Sequence, residues 1–470
     1  MPALDAFRAA IGADHVLTEQ DAVAPHVTDW TGGHTGVAMA VLLPGSTPEV
    51  AALVRVAAEH GVRMIPQGGN TGVAAGATPP ATGQNAILST VRLDTIHAID
   101  TAARTATAGA GVVLERLQTA VADHGLEFPV MFGARGTAQL GGVLATNAGG
   151  ANVLRYGNTR DLCLGVQAVL ADGTVIDTLA GLRKDNSGYD LRHLLIGSEG
   201  TLGIITAATL RLTPTPLARA TAFLALKDLD AGLSVLNRLQ DASGGLVDAC
   251  EWLPREMIAA ILEAFPTLRA PLAPLPAHGL LVELASTRPS DTGPVLDDLL
   301  LTAIEAEMGA GRVTDGVVAT SDAQRQALWA VREAVLPAIV AAGDMLTLDV
   351  ALPLARMSAF VAKANAITET HRLRPLLVAH LGDGNVHYSV VAPDGGTLDA
   401  ARMQTYSDAV LEVLREMGGS YSAEHGIGRA KAALQAQWKD PAALAALRAV
   451  KDALDPQGLL NPGALFCDGM

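Results

Sequence analysis

Two histidines on either side of a short turn could hold a metal ion. Residues 376–391 predict a β-hairpin, because Asp383-Gly384 is a strong two-residue turn signal. With these as the central turn residues, His380 stands opposite His387 on one face, their Cβ atoms about 5 Å apart. Ser389 shares that face. Two imidazoles so placed can chelate one cation, although either histidine could instead be a hydrogen-bonded core residue.

A glutamate and a histidine stand side by side in the later segment Ser422–Arg429. The glycines that follow them relax the backbone, so that both side chains could be presented together. Glu424 could simply cap the next helix. Alternatively it is a third metal ligand, with His425 as a general base beside it. Two histidines and a carboxylate leave coordination positions open, as a catalytic zinc or manganese site requires.

Three glycine clusters in the first half predict a backbone that approaches a large ligand closely. The first, Pro66–Gly72, follows a predicted strand directly, and its amides could turn toward a phosphate. The second extends over residues 133–150 and the third over residues 197–203. A loop like the first is often only a tight turn, but the density of the second favours a long, flat, phosphorylated cofactor.

The elements that would position these residues follow from the hydrophobic pattern. Strands and helices alternate up to Pro214, and the later part has fewer glycines and ends in a mostly helical segment. We therefore predict domains at 1–215, 216–415 and 416–470. The clearest predicted elements are strands at 38–43, 62–65, 204–212 and 280–284, helices at 47–61 (with Thr47 as its cap), 112–124 and 231–241, and a hairpin at 167–176.

Composition narrows the class of protein. The chain has 470 residues, of which 49% are hydrophobic and only 3% aromatic, so large aliphatic cores are expected. A net charge of −15 disfavours nucleic acid as a partner. The N-terminus does not read as a signal peptide, and the three separated cysteines suit reduced thiols, so we expect a cytoplasmic protein. Gly109-Ala110-Gly111 lacks the third glycine of a dinucleotide fingerprint, and we interpret it as a turn.

Several motifs resemble those of FAD-linked oxidases of the vanillyl-alcohol-oxidase (PCMH-type) superfamily. The resemblance extends over nearly the whole chain and is strongest to the branch of D-lactate and D-2-hydroxyglutarate dehydrogenases. It implies an α+β fold with a two-lobed FAD domain and a cap domain built on an antiparallel sheet. The motifs that carry it are Pro66–Gly72, Gly141–Gly150, Arg155–Asn158, Lys184–Leu191, Gly197–Gly203, His-x-Gly-Asp-Gly-Asn-x-His at 380–387 and Glu-His-Gly-x-Gly at 424–428.

The resemblance also implies roles for individual residues. His380, His387 and Glu424 would bind the metal, and His425 would remove the hydroxyl proton of a D-2-hydroxy acid. Asn70 stands where covalent relatives often have a histidine, so FAD is expected to bind non-covalently. The residues expected to contact FAD are Pro66, Gln67, Gly68, Gly69, Asn70, Thr71, Gly72, Gly133, Thr137, Gly141, Gly142, Ala145, Asn147, Gly149, Gly150, Glu199, Gly200, Ile205 and Asn461.

The substrate handle is expected on a Trp-x-x-Arg-Glu stretch, where Arg332 would bind the substrate carboxylate. Enzymes for D-2-hydroxyglutarate usually carry Thr, Lys and Asn where this chain has Leu336, Thr347 and Ser389. We therefore expect Thr347 and Ser389 to line the site of a less polar substrate such as D-lactate. D-2-hydroxyglutarate and D-malate are the alternatives.

Two other interpretations remain open at this level. A flavin-free metal hydrolase could use the same two histidines and glutamate, but it would leave the glycine clusters unexplained. A flavin- or metal-binding module without catalysis is the other. For a dehydrogenase, an electron-transfer flavoprotein, a quinone or a cytochrome would accept the electrons, and a homodimer is conceivable.

Overall fold

The computed structural model describes residues 2–289, 293, 295–393 and 395–467, and the chain forms two compact units. Unit 1 comprises the chain up to Gly149, Gly157–Pro214, and the chain from Glu424 onward. Unit 2 comprises Gly150–Tyr156 and Thr215–Ala423. The division into three domains made from the sequence stays a prediction.

The helices are distributed over the whole chain. They are α1 Pro2–Ile11, α2 Gln20–Val23, α3 Thr47–His60, α4 Leu114–Ala122, α5 Leu140–Ala145, α6 Val153–Tyr156, α7 Thr159–Leu162, α8 Leu191–Leu195, α9 Leu229–Ser243, α10 Arg255–Ala264, α11 Leu296–Gly309, α12 Asp322–Glu333, α13 Val335–Ala341, α14 Met357–Thr370, α15 Ala400–Glu416, α16 Ala432–Trp438 and α17 Pro441–Leu454.

Among the described residues the last strand ends at Val391, and three helices follow it. The strands are β1 Val16–Leu17, β2 Ala40–Leu42, β3 Arg63–Gln67, β4 Asn85–Ser89, β5 Ile96–Asp100, β6 Thr105–Gly109, β7 Leu126–Glu127, β8 Cys163–Val169, β9 Val175–Asp177, β10 Ile204–Arg211, β11 Thr213–Pro214, β12 Ala218–Leu226, β13 Val247–Pro254, β14 His278–Ser286, β15 Val313–Val318, β16 Met345–Ala351, β17 Arg374–His380 and β18 Asn385–Val391.

Unit 1 contains two larger sheets, which correspond to the two expected lobes. One has the order β1-β2-β4-β3, with β2 and β3 both parallel to β4. The other has the order β5-β6-β10-β8-β9 and is antiparallel throughout. The core beneath the first sheet is aliphatic, as the composition predicted, with Phe7 as its aromatic member.

Helix α3 shows why one predicted boundary was wrong by a residue. The sequence indicated Thr47 as the cap, but the Ser46 side chain accepts the amide hydrogen of Glu49 and is the N-cap. The Thr47 hydroxyl instead donates to Gln167, 2.6 Å away. Serine is a somewhat better N-cap than threonine, and the Thr47 hydroxyl is already used in this tertiary hydrogen bond.

The dinucleotide-like Gly109-Ala110-Gly111 is a structural turn, as expected. A Cβ on Gly109 would lie 2.1 Å from the carbonyl oxygen of Leu93, and one on Gly111 would lie 1.9 Å from that of Thr90. Both glycines are therefore required by the close approach of two chain segments, without any ligand.

Unit 2 is built on a seven-stranded antiparallel sheet with the order β15-β12-β14-β13-β17-β18-β16. Apolar residues of α10, α12 and α13 pack against one end of one face, together with Leu253, Leu376 and Val378. The polar site described below lies on that same face, beyond the apolar cluster.

Among the described residues, no helix is both long and apolar enough to span a membrane.

Candidate functional site

The hairpin that carries the two histidines forms as β17 and β18, but its turn differs from the prediction. His380 pairs with Asn385, and His387 pairs with Val378. The turn therefore contains four residues, and the expected direct pairing of His380 with His387 is wrong. The carbonyl of His380 accepts the amides of Asp383 and Gly384, and Gly384 has a φ of +82°, which a glycine adopts without strain.

The changed register still leaves both histidines on one face, because an offset of two residues preserves side-chain direction. The rings of His380 and His387 are nearly perpendicular, with centroids 5.3 Å apart. Their Nε2 atoms lie 3.4 Å from each other. The pair thus converges diagonally across the hairpin.

A buried carboxylate stands behind each of these rings. Nδ1 of His380 is 2.7 Å from Glu251 Oε1, and Nδ1 of His387 is 3.5 Å from Asp349 Oδ1. The side chains of Glu251 and Asp349 are 0% and 1% exposed. Metal-binding histidines typically donate a hydrogen bond from their second ring N–H to a carboxylate, which directs the lone pair of the other nitrogen toward the metal.

The spacing of the two nitrogen donors fits a metal ion. Zinc–nitrogen bonds of about 2.0–2.1 Å in tetrahedral geometry separate two ligand nitrogens by about 3.3–3.4 Å. The 3.4 Å between Nε2 of His380 and Nε2 of His387 agrees with that value.

Asp349 also fixes the end of unit 2 beside the histidines. Its carboxylate accepts the Asn385 amide at 2.9 Å and the backbone amide of Ala423 at 3.1 Å. Glu424 is the next residue along the chain. The backbone that leads into Glu424 is thus anchored to the same carboxylate that faces His387.

In unit 1, Glu424 and His425 lie in an irregular, half-buried loop. Helix α16 starts eight residues after Glu424, with Lys431 at its N-cap, so the interpretation of Glu424 as a helix cap is wrong. The Glu199 carboxylate accepts the amides of Ile427 and Gly428, each at 2.7 Å. Burial raises the pKa of Glu199, although these two hydrogen bonds act in the opposite direction.

Gly428 fixes the loop against the segment that follows the first glycine cluster. Its φ is +51°, and a Cβ there would lie 1.8 Å from the carbonyl oxygen of Ala74. That carbonyl also accepts the amide of Arg429, whose side chain donates to the carbonyls of Ala75 and Gly76. The loop bearing His425 is therefore attached directly to the segment that follows Pro66–Gly72.

The three glycine clusters meet one another within unit 1. A Cβ on Gly69 would lie 2.1 Å from the carbonyl oxygen of Thr137, and one on Gly68 would lie 3.6 Å from the amide nitrogen of Gly142. The amide of Glu199 donates to the carbonyl of Ala145. The structure thus brings together residues that lie 54 to 74 positions apart in the sequence, as a shared cofactor cradle requires.

Some of these glycines are not required by the protein's own packing. At Gly72, Gly133 and Gly142, an added Cβ would find no atom of the protein within 4 Å, and none of the three has a positive φ. The space beside them is open to a ligand that approaches the backbone. This is the arrangement expected of a cradle for FAD.

Several polar residues expected to contact FAD use their side chains inside the protein instead. Gln67 donates to the carbonyls of His26 and Ala77, and Asn70 donates to that of Thr28. The Asn147 side chain accepts the backbone amide of Arg160. The Asn461 side chain donates to the carbonyls of Gly76 and Glu199 and so bridges them. These four side chains shape the cradle, and their contact with FAD stays a prediction, as does that of buried Ile205.

The expected substrate residues lie in unit 2 on the same sheet face or beside it. Thr347 and Ser389 are cross-strand partners whose hydroxyl oxygens are 2.9 Å apart. Arg332, near the end of α12, donates through Nε to Glu251 Oε2 at 2.6 Å. Leu336 is 45% exposed.

Sequence reasoning missed Glu251. It lies on β13 directly opposite His380 and is fully buried, with its two oxygens bonded to different side chains. Burial raises its pKa, but the interactions with Arg332 and His380 outweigh burial and hold the pKa at about 2. The sequence did contain one signal for it. Glu251 lies within the apolar run Ala249–Leu253, and a carboxylate buried there requires a hydrogen-bonding or charged partner.

Comparison with known proteins agrees with this arrangement. Residues 38–179 match the model of an FAD binding domain. Residues 215–465, more than half of the chain, match that of the C-terminal domain of FAD linked oxidases. The chain belongs to the FAD-linked oxidase family.

Relatives and solved structures support the same assignment. The chain is 35% identical to D-2-hydroxyglutarate dehydrogenase of Xanthomonas citri, covering 99% of this chain and 97% of the relative. It is 35% identical to the mitochondrial D-2-hydroxyglutarate dehydrogenase of Bos taurus, covering 95% and 80%. The fold resembles p-cresol methylhydroxylase with substrate bound, at a TM-score of 0.78, 17% identity and coverage of 99% and 96%. This FAD-linked oxidoreductase therefore has the PCMH-type α+β fold with a cap domain, as the motifs predicted.

Proposed function

We propose that the protein is an FAD-dependent dehydrogenase that oxidises a D-2-hydroxy acid to the 2-oxo acid. The observation that carries the proposal is the cluster on the sheet of unit 2, where Glu251 joins Arg332 to His380 and His380 faces His387. A guanidinium group suits a carboxylate, and a two-histidine donor set suits a metal that binds a hydroxyl group. The FAD binding domain and the glycine clusters support flavin as the oxidant.

We further propose that His380, His387 and Glu424 hold one divalent ion, zinc or manganese. The supporting observations are the donor spacing of the histidines and the anchoring of Ala423 by Asp349. The ion would supply Lewis-acid chemistry that makes the substrate hydroxyl more acidic. His425 would take the hydroxyl proton.

The remaining steps assign work to other residues of the chain. Arg332 would orient the substrate carboxylate, since its contact with Glu251 uses Nε and leaves its terminal amino groups to the substrate. FAD held by the glycine clusters would supply the acceptor for the hydride from the substrate Cα. The glycine clusters would hold FAD non-covalently.

The first candidate substrate is D-2-hydroxyglutarate, because relatives that the chain matches over nearly its whole length carry that name. A less polar monoacid such as D-lactate is the second candidate. Three residues favour it, since they offer no charge to a distal carboxylate: Leu336, Thr347 and Ser389. The hydroxyls of Thr347 and Ser389 are 2.9 Å apart and so within hydrogen-bond distance of each other.

Anaerobic bleaching of the flavin tests both levels of the proposal. Purified protein loaded with FAD and zinc is mixed with D- and L-2-hydroxyglutarate, D- and L-lactate and D-malate, with and without a chelator. We expect rapid bleaching by a D-acid and loss of bleaching after chelation. The ratio of kcat/KM for D-2-hydroxyglutarate and D-lactate decides between the substrates. A flavin that no 2-hydroxy acid bleaches would exclude the proposed function.

A second measurement, made on the reduced protein, would identify the electron acceptor. We propose an electron-transfer flavoprotein, a quinone or a cytochrome, and the rate of flavin reoxidation by each one distinguishes them.

A further inference from the structure

The buried carboxylate of Glu251 contacts two groups that the proposed function uses for different purposes. Oε1 is 2.7 Å from Nδ1 of His380, and Oε2 is 2.6 Å from Nε of Arg332. The side chain is wholly buried, while that of Arg332 is 17% exposed. Glu251 therefore stands behind both groups, away from the position of a substrate.

We propose that Glu251 is a positioning residue that prepares both halves of the site, His380 for the metal and Arg332 for the substrate carboxylate. The inference rests on the proposed function and deepens it. Glu251 itself touches neither ligand.

The first half of the argument concerns the imidazole. An ionised carboxylate can only accept a hydrogen bond, so Nδ1 of His380 donates to it, and in the neutral ring Nε2 then carries the lone pair. Glu251 and His380 are cross-strand partners on β13 and β17, which fixes the ring plane through the sheet itself. A carboxylate at this position also makes the imidazole a stronger donor to a metal.

The second half concerns the guanidinium group. Arg332 stands near the C-terminal end of α12, and its long side chain has many rotamers. Glu251 holds it through Nε, so this contact restrains the guanidinium group and does not use the two terminal nitrogens. Those two nitrogens form the fork that matches a carboxylate.

A second buried carboxylate provides a matched control. Glu283 lies on the neighbouring strand β14 and is 3% exposed. It accepts from Arg219 at 2.7 Å, from the Thr221 hydroxyl at 2.7 Å and from the Trp329 indole at 2.8 Å. It resembles Glu251 in burial and in its arginine partner, but its contacts do not include His380.

The experiment compares wild-type protein with Glu251→Gln, Glu283→Gln and Arg332→Met, all loaded with FAD. Zinc affinity is measured by competition with a chromophoric chelator. In a separate arm, 2-oxoglutarate or pyruvate is titrated into the metal-free proteins, and binding is read from the flavin absorbance. Neither arm requires turnover.

We expect Glu251→Gln to weaken zinc binding by about 10- to 100-fold, the usual effect of removing a carboxylate behind a histidine ligand. Glu251→Gln should also weaken 2-oxo acid binding, because the side-chain NH₂ of glutamine would face either Nδ1 of His380 or Nε of Arg332 and could not accept its hydrogen bond. Arg332→Met should lose the 2-oxo acid and keep zinc within a few-fold. Glu283→Gln should keep zinc affinity unchanged.

Equal zinc affinity in wild type and Glu251→Gln would overturn the inference, as would equal losses in Glu251→Gln and Glu283→Gln. If Glu251→Gln does not fold, Glu251→Asp keeps the charge with a shorter reach, and an unchanged zinc affinity there has the same meaning. A wild-type protein that binds no divalent metal would remove the proposed metal site and this inference with it. Zinc binding that depends on Glu251 in a protein that oxidises no 2-hydroxy acid would refute the function alone.

Discussion

Nε2 of His380 and Nε2 of His387 face each other at 3.4 Å, while both Nδ1 atoms point to buried carboxylates. When each Nδ1 carries a proton for its carboxylate, each Nε2 of a neutral ring carries a lone pair. Two lone pairs that face each other at this distance repel, and either a proton on one ring or a cation between the rings removes the repulsion. This arrangement supports the proposed metal site.

Removal of the metal should therefore abolish catalysis while FAD stays bound. We expect dialysis against a chelator to lower kcat/KM for the best 2-hydroxy acid by at least about a hundredfold, and zinc or manganese to restore it. His387→Ala should show the same loss without restoration, because one of the proposed ligands is missing. Activity that is unchanged after the metal content has fallen below a tenth per chain would contradict the metal site.

Replacement of the proposed base should affect the proton transfer alone. His425→Ala should lower kcat by about 10²- to 10⁴-fold, the usual contribution of a general base. Its FAD content and zinc affinity should equal those of the wild type. His97→Ala, which changes an exposed histidine on β5 in the same unit, is the matched control and should keep full activity.

The sequence predicted the two histidines as a pair but not their register. The Asp-Gly pair lies within the observed turn but is not its centre, because the length of the turn depends on contacts outside the hairpin. Leu381 continues the pairing with the neighbouring strand by donating its amide to the carbonyl of Cys250, so it does not join β18. Local turn chemistry contains no information on that third strand.

Glu251 could not be found from sequence spacing because its partners are remote. Arg332 is 81 residues away and His380 is 129 residues away. By contrast, the glycine clusters were recognisable, since each is a local property of the backbone. Their convergence in one unit then followed from the fold that the motifs predicted.

Burial makes two of the three thiols poor nucleophiles. It raises the pKa of Cys163 to about 12, and that of Cys250 also lies well above its usual range for the same reason. We expect a thiol reagent at about pH 8 to label native protein once per chain, at Cys467, and three times after denaturation. Mass spectrometry of the labelled peptides checks this. Rapid labelling of Cys163 in the native protein would show that its thiol is accessible and would contradict the prediction.

Gly142 permits a test of the cradle that separates FAD binding from stability. It lies in the first turn of α5, where an alanine Cβ would contact no protein atom within 4 Å. Alanine favours a helix over glycine by up to about 1 kcal/mol, so Gly142→Ala should leave the FAD-free protein as stable as the wild type or more stable. If FAD occupies the space beside this backbone, the same methyl group should weaken FAD binding by about tenfold or more and lower the Tm of the loaded protein.

Gly309→Ala is the control, since Gly309 ends α11 in the other unit with equally open space around it. It should raise stability with and without FAD alike, whereas an unchanged FAD affinity in Gly142→Ala would show that the cofactor does not lie against α5.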